Sequence, residues 1–324
     1  MRTLGEFELI DLFTRDLPAV GEGVRIGVGD DAAVVEPPRG EWLVATVDAV
    51  VEGVHFGSGF SPEDVGWKSL AVNLSDLAAM GARPLWALVA LGVPRGADPA
   101  RLARVGAGLA RCAAAHRVAV VGGNVTAARE LSLTVTALGG VRRGRLLTRQ
   151  GARPGDVLLV SGTLGDAALG LEPEAAPALR RRQRRPVPRL ALGQALCGIA
   201  TACIDLSDGL LQDLGHLCDA SRVGARVRLD RLPLSRAYRA ATRGRRDSWA
   251  AAATGGEDYE LLVTVPARKV PAALAAARRA GTRLAVVGEV VSGAGVAALR
   301  PDGRPYRPRR AGHDHLRPGP RAGF

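Results

Sequence analysis

The chain has 324 residues, 47% of them hydrophobic, which is long for a single core and predicts two folded domains rather than disorder. Its formal net charge is +12, from 44 basic against 32 acidic residues, and Lys68 and Lys269 are the only lysines, so the basic charge is nearly all arginine. An aromatic content of 4% leaves few stacking platforms and argues against a nucleic-acid partner. No apolar run is long enough for a membrane span, and MRTLGEFELIDLF lacks the basic-then-apolar layout of a secretory signal, so no membrane partner and a cytoplasmic location are expected.

In chain order, residues 24–56 read as two strands, RIGVGDDAAVVE and EWLVATVDAVVEG, joined by the turn PPRG. SPED at 61–64 opens a helix expected to run to about Met80, with Gly81 as its stop. PLWALVALGVP is a buried strand, 98–116 a helix, VAVVGGNVT a strand running into a turn, and ELSLTVTALGGV a further strand. After RQGARPGD comes the strand DVLLVSG, then a helix. The basic run LRRRQRRPVPR reads as an exposed loop. It is followed by a helix near 189–200, the strand TACIDLSDG, a helix over 209–221, strands at 225–230 and 259–265, a helix over 270–280 and the strand RLAVVGEVV, with an irregular tail after 300. Interleaved strands and helices predict an α/β or α+β protein of two domains, 1–145 and 146–324. The four cysteines, Cys112, Cys197, Cys203 and Cys218, have no metal or disulfide spacing and read as buried thiols.

The chemistry-bearing residues are aspartates set in apolar frames. Asp30 and Asp31 lie in IGVGDDAAV, Asp48 in TVDAVVEGVHF, Asp76 in NLSDLAAMG, and Asp205 and Asp208 in IDLSDG. GVGDDA matches a dinucleotide fingerprint only on paper, because its aspartates would face the pyrophosphate and a strand follows where a helix should. No Walker-type phosphate loop is present. Short carboxylates on turns and strand ends suit Mg²⁺, which takes oxygen ligands and shares them with substrate phosphates. Each has a plainer reading as well. Asp30 and Asp31 can make a turn, and Asp208 can cap the helix after it. Asp76 is the most informative, since a helix interior disfavours Asp, its neighbours are apolar and no arginine lies in the nearest turns. Glycine-rich turns beside these acids can offer N–H groups to phosphate, and Arg149 can reach one.

GDDAAV, VDAVVEGVHF, WKSLAVNLSDLAAMGARP, VGGNVT, RQGARPGD, IDLSDGL and TGGEDYELL occur in the order seen in the thiamine-monophosphate kinase family, which the chain resembles over roughly residues 3–316. That family belongs to a superfamily with aminoimidazole ribonucleotide synthetase, selenide water dikinase and a hydrogenase maturation protein. The resemblance implies an N-terminal mixed-sheet domain that pairs in a homodimer and a C-terminal α/β domain, with ATP and Mg²⁺ between them. The γ-phosphoryl group of ATP would pass directly to the phosphate of thiamine monophosphate. By motif position the metal ligands would be Asp31, Thr46, Asp48, Asp76, Asn124, Asp205 and Asp208. The ATP contacts would be Gly123, Asn124, Arg149 and Ser207, and the substrate contacts His55, Glu257 and His313. Asp48, Asp76 and Arg149 would serve the transfer most directly.

The chain departs from the family pattern at Val47, where a second hydroxyl residue is usual, and at Asn124, where Asp is common. Gly106 replaces a tyrosine, and His313 and Leu316 replace aromatics near the end. The departures motivate an alternative, a catalytically weakened binder of nucleotide and thiamine phosphates. A superfamily enzyme with another acceptor is the other rival.

Overall fold

The structure, a computed structural model, describes residues 6–308 and Gly312. His313 and Leu316 therefore lie outside the described residues. The chain forms two units. One comprises residues up to Leu77 with Ala82–Arg143, and the other comprises Gly144 onward with Ala78–Gly81.

The first unit contains α1 (Glu6–Thr14), β1 (Val24–Ile26), β2 (Val34–Val35), β3 (Glu41–Val51), α2 (Pro62–Ala79), β4 (Arg83–Pro94), α3 (Pro99–His116), β5 (Ala119–Ala128) and β6 (Ser132–Arg142). Its main sheet has the order β3-β6-β4-β5. β4 and β5 are parallel, joined by α3 as the crossover, and the other pairs are antiparallel. The α3 start is capped by the Asp98 side chain, which accepts from Ala100 N–H. Residues 25–36 do not form one strand. β1 and β2 make a separate two-stranded antiparallel ladder, and the glycines and paired aspartates between them form its connecting loop. VAVVGGNVT, expected to run from strand into a turn, lies in β5 from Ala119 onward. The β4 backbone comes so close that a Cβ at Gly123 would strike the Val89 carbonyl.

The second unit contains β7 (Asp156–Ser161), α4 (Asp166–Gly170), α5 (Pro177–Arg184), α6 (Leu190–Leu196), β8 (Ala202–Asp205), α7 (Leu210–Ser221), β9 (Gly224–Arg228), α8 (Arg236–Ala241), α9 (Ala250–Thr254), β10 (Leu261–Pro266), α10 (Val270–Arg279), β11 (Leu284–Val291), β12 (Gly295–Leu299) and β13 (Pro305–Tyr306). The sheet order is β13-β12-β9-β11-β7-β10-β8, with β12 and β9 its one parallel pair. Leu158, Val160, Ile204, Leu214, Val227 and Leu262 join one buried cluster beneath the helices. The first part of the basic run, 179–184, is helical, and 185–189 is irregular as expected. Leu179 and Gln183, four residues apart, are buried on one face of α5, and the helix ends ahead of Pro186. After residue 300 the chain still adds a short edge strand, β13.

Candidate functional site

In the first unit the acidic candidates occupy strand, helix and loop. β3 pairs with β6 without a break in register, so Thr46 and Asp48 share one face of the strand and Val47 takes the other. The Thr46 hydroxyl donates to Asp76 Oδ2 at 2.5 Å, linking β3 to α2 across thirty residues of sequence. Asp76 is half-buried rather than fully buried, and Asp48 is exposed. Asp30 Oδ1 accepts from Asp31 N–H at 2.8 Å within the loop. The Asp31 side chain is exposed beyond it. Asn124 and Gly123 are exposed on β5, paired with Ala90 and Val89 of β4.

His55 follows β3. Its Nδ1 accepts from Val51 N–H at 3.1 Å, which places the ring proton of the neutral imidazole on Nε2. The His55 carbonyl accepts from Lys68 Nζ at 3.1 Å, and that ammonium also lies 5.4 Å from the Phe60 ring centroid. Gly106 stands where the family pattern has a tyrosine. A Cβ there would lie 2.6 Å from the Phe13 carbonyl, so the close packing of α1 on α3 leaves no room for a side chain.

In the second unit β8 delivers Asp205, which is 5% exposed, into the turn before α7. Asp208 does not cap that helix. Gly209 is the N-cap and makes no side-chain cap bond, while Asp208 Oδ2 accepts from Gln212 Nε2 at 3.1 Å. Asp213 reaches back instead, its Oδ2 accepting from the N–H groups of Asp208 at 3.1 Å and Gly209 at 3.0 Å. Burial, helped by the charge of Asp208 and opposed by these donors, pushes the Asp213 carboxyl up to about 7. Ligand atoms of Asp208, Asp213 and His216 all lie within 4.8 Å of one another. Ser207 is half-buried and its carbonyl accepts from Glu257 N–H at 2.7 Å, so the IDLSDG and GGEDYE segments run side by side. Arg149 is exposed, with its carbonyl held by Ser221 Oγ. Glu257 is half-buried and its Oε2 accepts from Gln183 Nε2 at 3.3 Å.

Sequence reasoning missed three buried groups. Lys68, one of only two lysines in the chain, is fully buried in α2. Asp213 sits four residues into a helix, the place from which a carboxylate can reach back to bare N–H groups. Glu260 is fully buried and gathers Ser161 Oγ at 2.5 Å, Arg182 Nη2 at 2.6 Å and Arg189 through both Nε and Nη2. A glutamate ending an apolar-flanked GGEDYE segment and an arginine run far away in sequence carry no local sign that they meet.

The donor set fits a hard divalent cation. Within the first unit Thr46, Asp48, Asp76 and Asn124 offer oxygens, and within the second Asp205 and Asp208 do, the donor type that such a cation takes. The four cysteines are free, three of them buried.

The family model described as AIR synthase related protein, N-terminal domain, matches residues 29–141, and its C-terminal counterpart matches 153–299. The thiamine-monophosphate kinase of Haemophilus influenzae is 41% identical over 272 residues, covering 81% of this chain and 82% of that protein. The Escherichia coli K12 thiamine-monophosphate kinase is 39% identical over 324 residues, 96% of this chain and 98% of that protein. Among solved structures, thiamine-monophosphate kinase from Stenotrophomonas maltophilia superposes with a TM-score of 0.83 at 41% identity, covering 94% of this chain and 99% of that one. AaThiL complexed with AMPPCP and TMP superposes at 0.76 with 33% identity, covering 97% and 99%. The Escherichia coli hydrogenase maturation protein HypE shares the fold, at a TM-score of 0.74 and 22% identity.

Proposed function

The chain belongs to the thiamine-monophosphate kinase family of AIR-synthase-related proteins, and we infer from that premise that it phosphorylates thiamine monophosphate with ATP, giving thiamine diphosphate and ADP. The observation that carries this is end-to-end similarity to a relative solved with an ATP analogue and TMP.

In the transfer an oxygen of the acceptor phosphate forms a bond to the γ-phosphorus, and the bond from that phosphorus to the β-γ bridging oxygen breaks as ADP leaves. The acceptor oxygen is already ionised at neutral pH, so no side chain has to remove a proton. The protein's task is alignment and charge compensation. Asp31, Thr46, Asp48, Asp76 and Asn124 in the first unit, and Asp205 and Asp208 in the second, are assigned as the residues that hold Mg²⁺. When bound, Mg²⁺ supplies positive charge to the phosphate oxygens. Thr46 orients the Asp76 carboxylate through their hydrogen bond. Gly123, Asn124, Ser207 and the Arg149 guanidinium are assigned to ATP. His55, as an Nε2–H donor, and Glu257, as an anion suited to a thiazolium or aminopyrimidine, are assigned to thiamine monophosphate; His313 is the third candidate there.

A homodimer is part of the proposal. On β3 the row Leu43, Ala45, Val47 and Ala49 is exposed along its length, with Leu43 at 47% and Val47 at 59% exposure, and Leu88 of β4 extends the same apolar surface. An exposed apolar sheet face ending in a strand that is at the sheet edge among the described residues is a surface for a second copy. No described helix is long and apolar enough to cross a membrane, and a cytoplasmic site of action is proposed.

The test is a product assay with purified protein, ATP, Mg²⁺ and thiamine monophosphate. Thiamine diphosphate should form with one ADP per product. ATP turnover indifferent to thiamine monophosphate would refute the assignment.

A further inference from the structure

Arg149 stands in an irregular loop ahead of β7, and its side chain is exposed. A long side chain on such a loop spends conformational entropy on every bond that it makes to a ligand, unless the backbone beneath it is already fixed. The residue that fixes this backbone lies seventy-two positions on in sequence. It is Ser221, half-buried, the last residue of α7.

A serine hydroxyl has one proton to donate and two lone pairs to accept with. Ser221 Oγ uses all three on this loop. It donates to the Arg149 carbonyl at 2.8 Å and accepts from Gly151 N–H and Ala152 N–H, each at 3.1 Å. Other ties complete the hold. Thr148 Oγ1 donates to the Gln150 carbonyl at 2.7 Å, and the Thr148 carbonyl accepts from Cys203 N–H at 2.9 Å. Gly151 has φ 128°, and a Cβ there would lie 2.3 Å from the Thr201 carbonyl, so only glycine lets the loop pass this close.

The other end of α7 does the same for a second segment. There Asp213 holds the N–H groups of Asp208 and Gly209, in the turn that carries Ser207. Both second-unit segments assigned to ATP are therefore tied to one regular helix, which holds side chains more precisely than loops do by themselves.

We propose that Ser221 is a positioning residue for the nucleotide: its hydroxyl sets the backbone from which Arg149 reaches the phosphates of ATP. This rests on the assignment of Arg149 to ATP.

The experiment measures KM for ATP and for thiamine monophosphate in the full-length variants Ser221→Ala, Ser221→Thr, Arg149→Met and the double variant Ser221→Ala with Arg149→Met. Ser221→Ala removes the donor and both acceptors, and it should raise KM for ATP about ten-fold, the weight of one or two lost hydrogen bonds. KM for thiamine monophosphate should stay within about two-fold and the thermal midpoint within a few degrees. Ser221→Thr keeps the hydroxyl and should bring KM for ATP back to within about three-fold of the parent. Arg149→Met should raise KM for ATP at least as far as Ser221→Ala does, and combining the two should raise it no further. If Ser221→Ala is too unstable to assay, Ser221→Cys serves, because a thiol is a weak donor and a weak acceptor, and it must raise the same KM. An unchanged KM for ATP in Arg149→Met would remove the assignment of Arg149 itself. A raised KM in Arg149→Met, with no effect of Ser221→Ala or with effects that add, would leave that assignment standing and overturn the role of Ser221. Equal rises in both KM values together with lost stability would also overturn it, as a merely structural role.

Discussion

The Thr46 hydroxyl and the Asp76 carboxylate meet at 2.5 Å, one on an edge strand and the other on the helix packed against it. An acid in a helix interior, poor by propensity, is thereby tied to the strand that also carries Asp48. Asp76→Asn keeps the shape and an acceptor for Thr46 while removing the charge. Turnover should fall about a thousand-fold, the scale of losing one principal electrostatic group, with the thermal midpoint within a few degrees of the parent. Thr46→Val, which removes one of the contacts that orient the carboxylate, should cost about ten- to a hundred-fold and raise the Mg²⁺ needed for half-maximal rate. Near-parental rates in Asp76→Asn would remove it from the site.

Val47 allows a sharper test of register. The family pattern has a hydroxyl residue here, and the sequence alone reads its loss as one missing ligand oxygen. The unbroken β3–β6 ladder puts the Val47 side chain on the face opposite Thr46 and Asp48. Val47→Thr should therefore shift the Mg²⁺ dependence of the rate by less than about two-fold, because the new hydroxyl enters the wrong side of the sheet. A marked strengthening of Mg²⁺ affinity would show that the strand turns this position inward during catalysis.

Much of the fold was legible because its signals are local. Pro62 and Gly81 bracket α2, Asp98 caps α3, and the β4 and β6 segments read as strands from their apolar runs. What failed was settled by distant partners. The arginines at 179–189 look like solvated loop until Glu260, more than seventy residues on, draws inward Arg182 of α5 and Arg189 just ahead of α6. GGN in β5 looks like a turn until the Val89 carbonyl of β4 requires a residue without Cβ beside it. The site divides in the same way. Motif order named the candidate aspartates, whereas the meeting of Glu260 with Arg182 and Arg189 is a contact that no spacing encodes.

The same Glu260 network predicts where stability is concentrated. Its carboxylate is fully buried, and the Arg182 and Arg189 side chains are 22% and 16% exposed. Removing one partner of such a group leaves uncompensated charge in a desolvated place. Glu260→Gln should destabilise the protein by about 3 kcal/mol, read from the urea midpoint at constant m-value. Arg245→Gln, which breaks the exposed pair with Glu172, should change it by less than about 1 kcal/mol. Equal effects from the two would mean that the buried network is not what holds the GGEDYE turn.

The open face of β3 predicts the assembly. Leu43→Lys places a charge at one end of the exposed apolar row, on the face opposite Asp48. If two copies meet there, the variant should sediment as a monomer at concentrations where the parent is a dimer, since an unpaired charge at an interface core costs several kcal/mol. A parent that sediments as a monomer, or a variant that still pairs, would move the interface elsewhere.

His116 supplies a pH signature. It lies in the last turn of α3, where the helix dipole favours a cation, yet burial holds its pKa below the usual 6.5. Its Nε2 is buried without a hydrogen-bond partner among the described residues, and its ring sits edge-on to Trp67 at 6.1 Å. The folded state therefore binds this proton more weakly than the unfolded chain does. The contribution is fully present above pH 6.5 and is lost as the pH falls through that value toward the depressed folded pKa. Urea unfolding at pH 7.5 and pH 5 should reveal a loss of stability at the lower pH, and His116→Gln should make that loss smaller. An unchanged difference between the two pH values would mean that His116 titrates alike in the folded and unfolded chains.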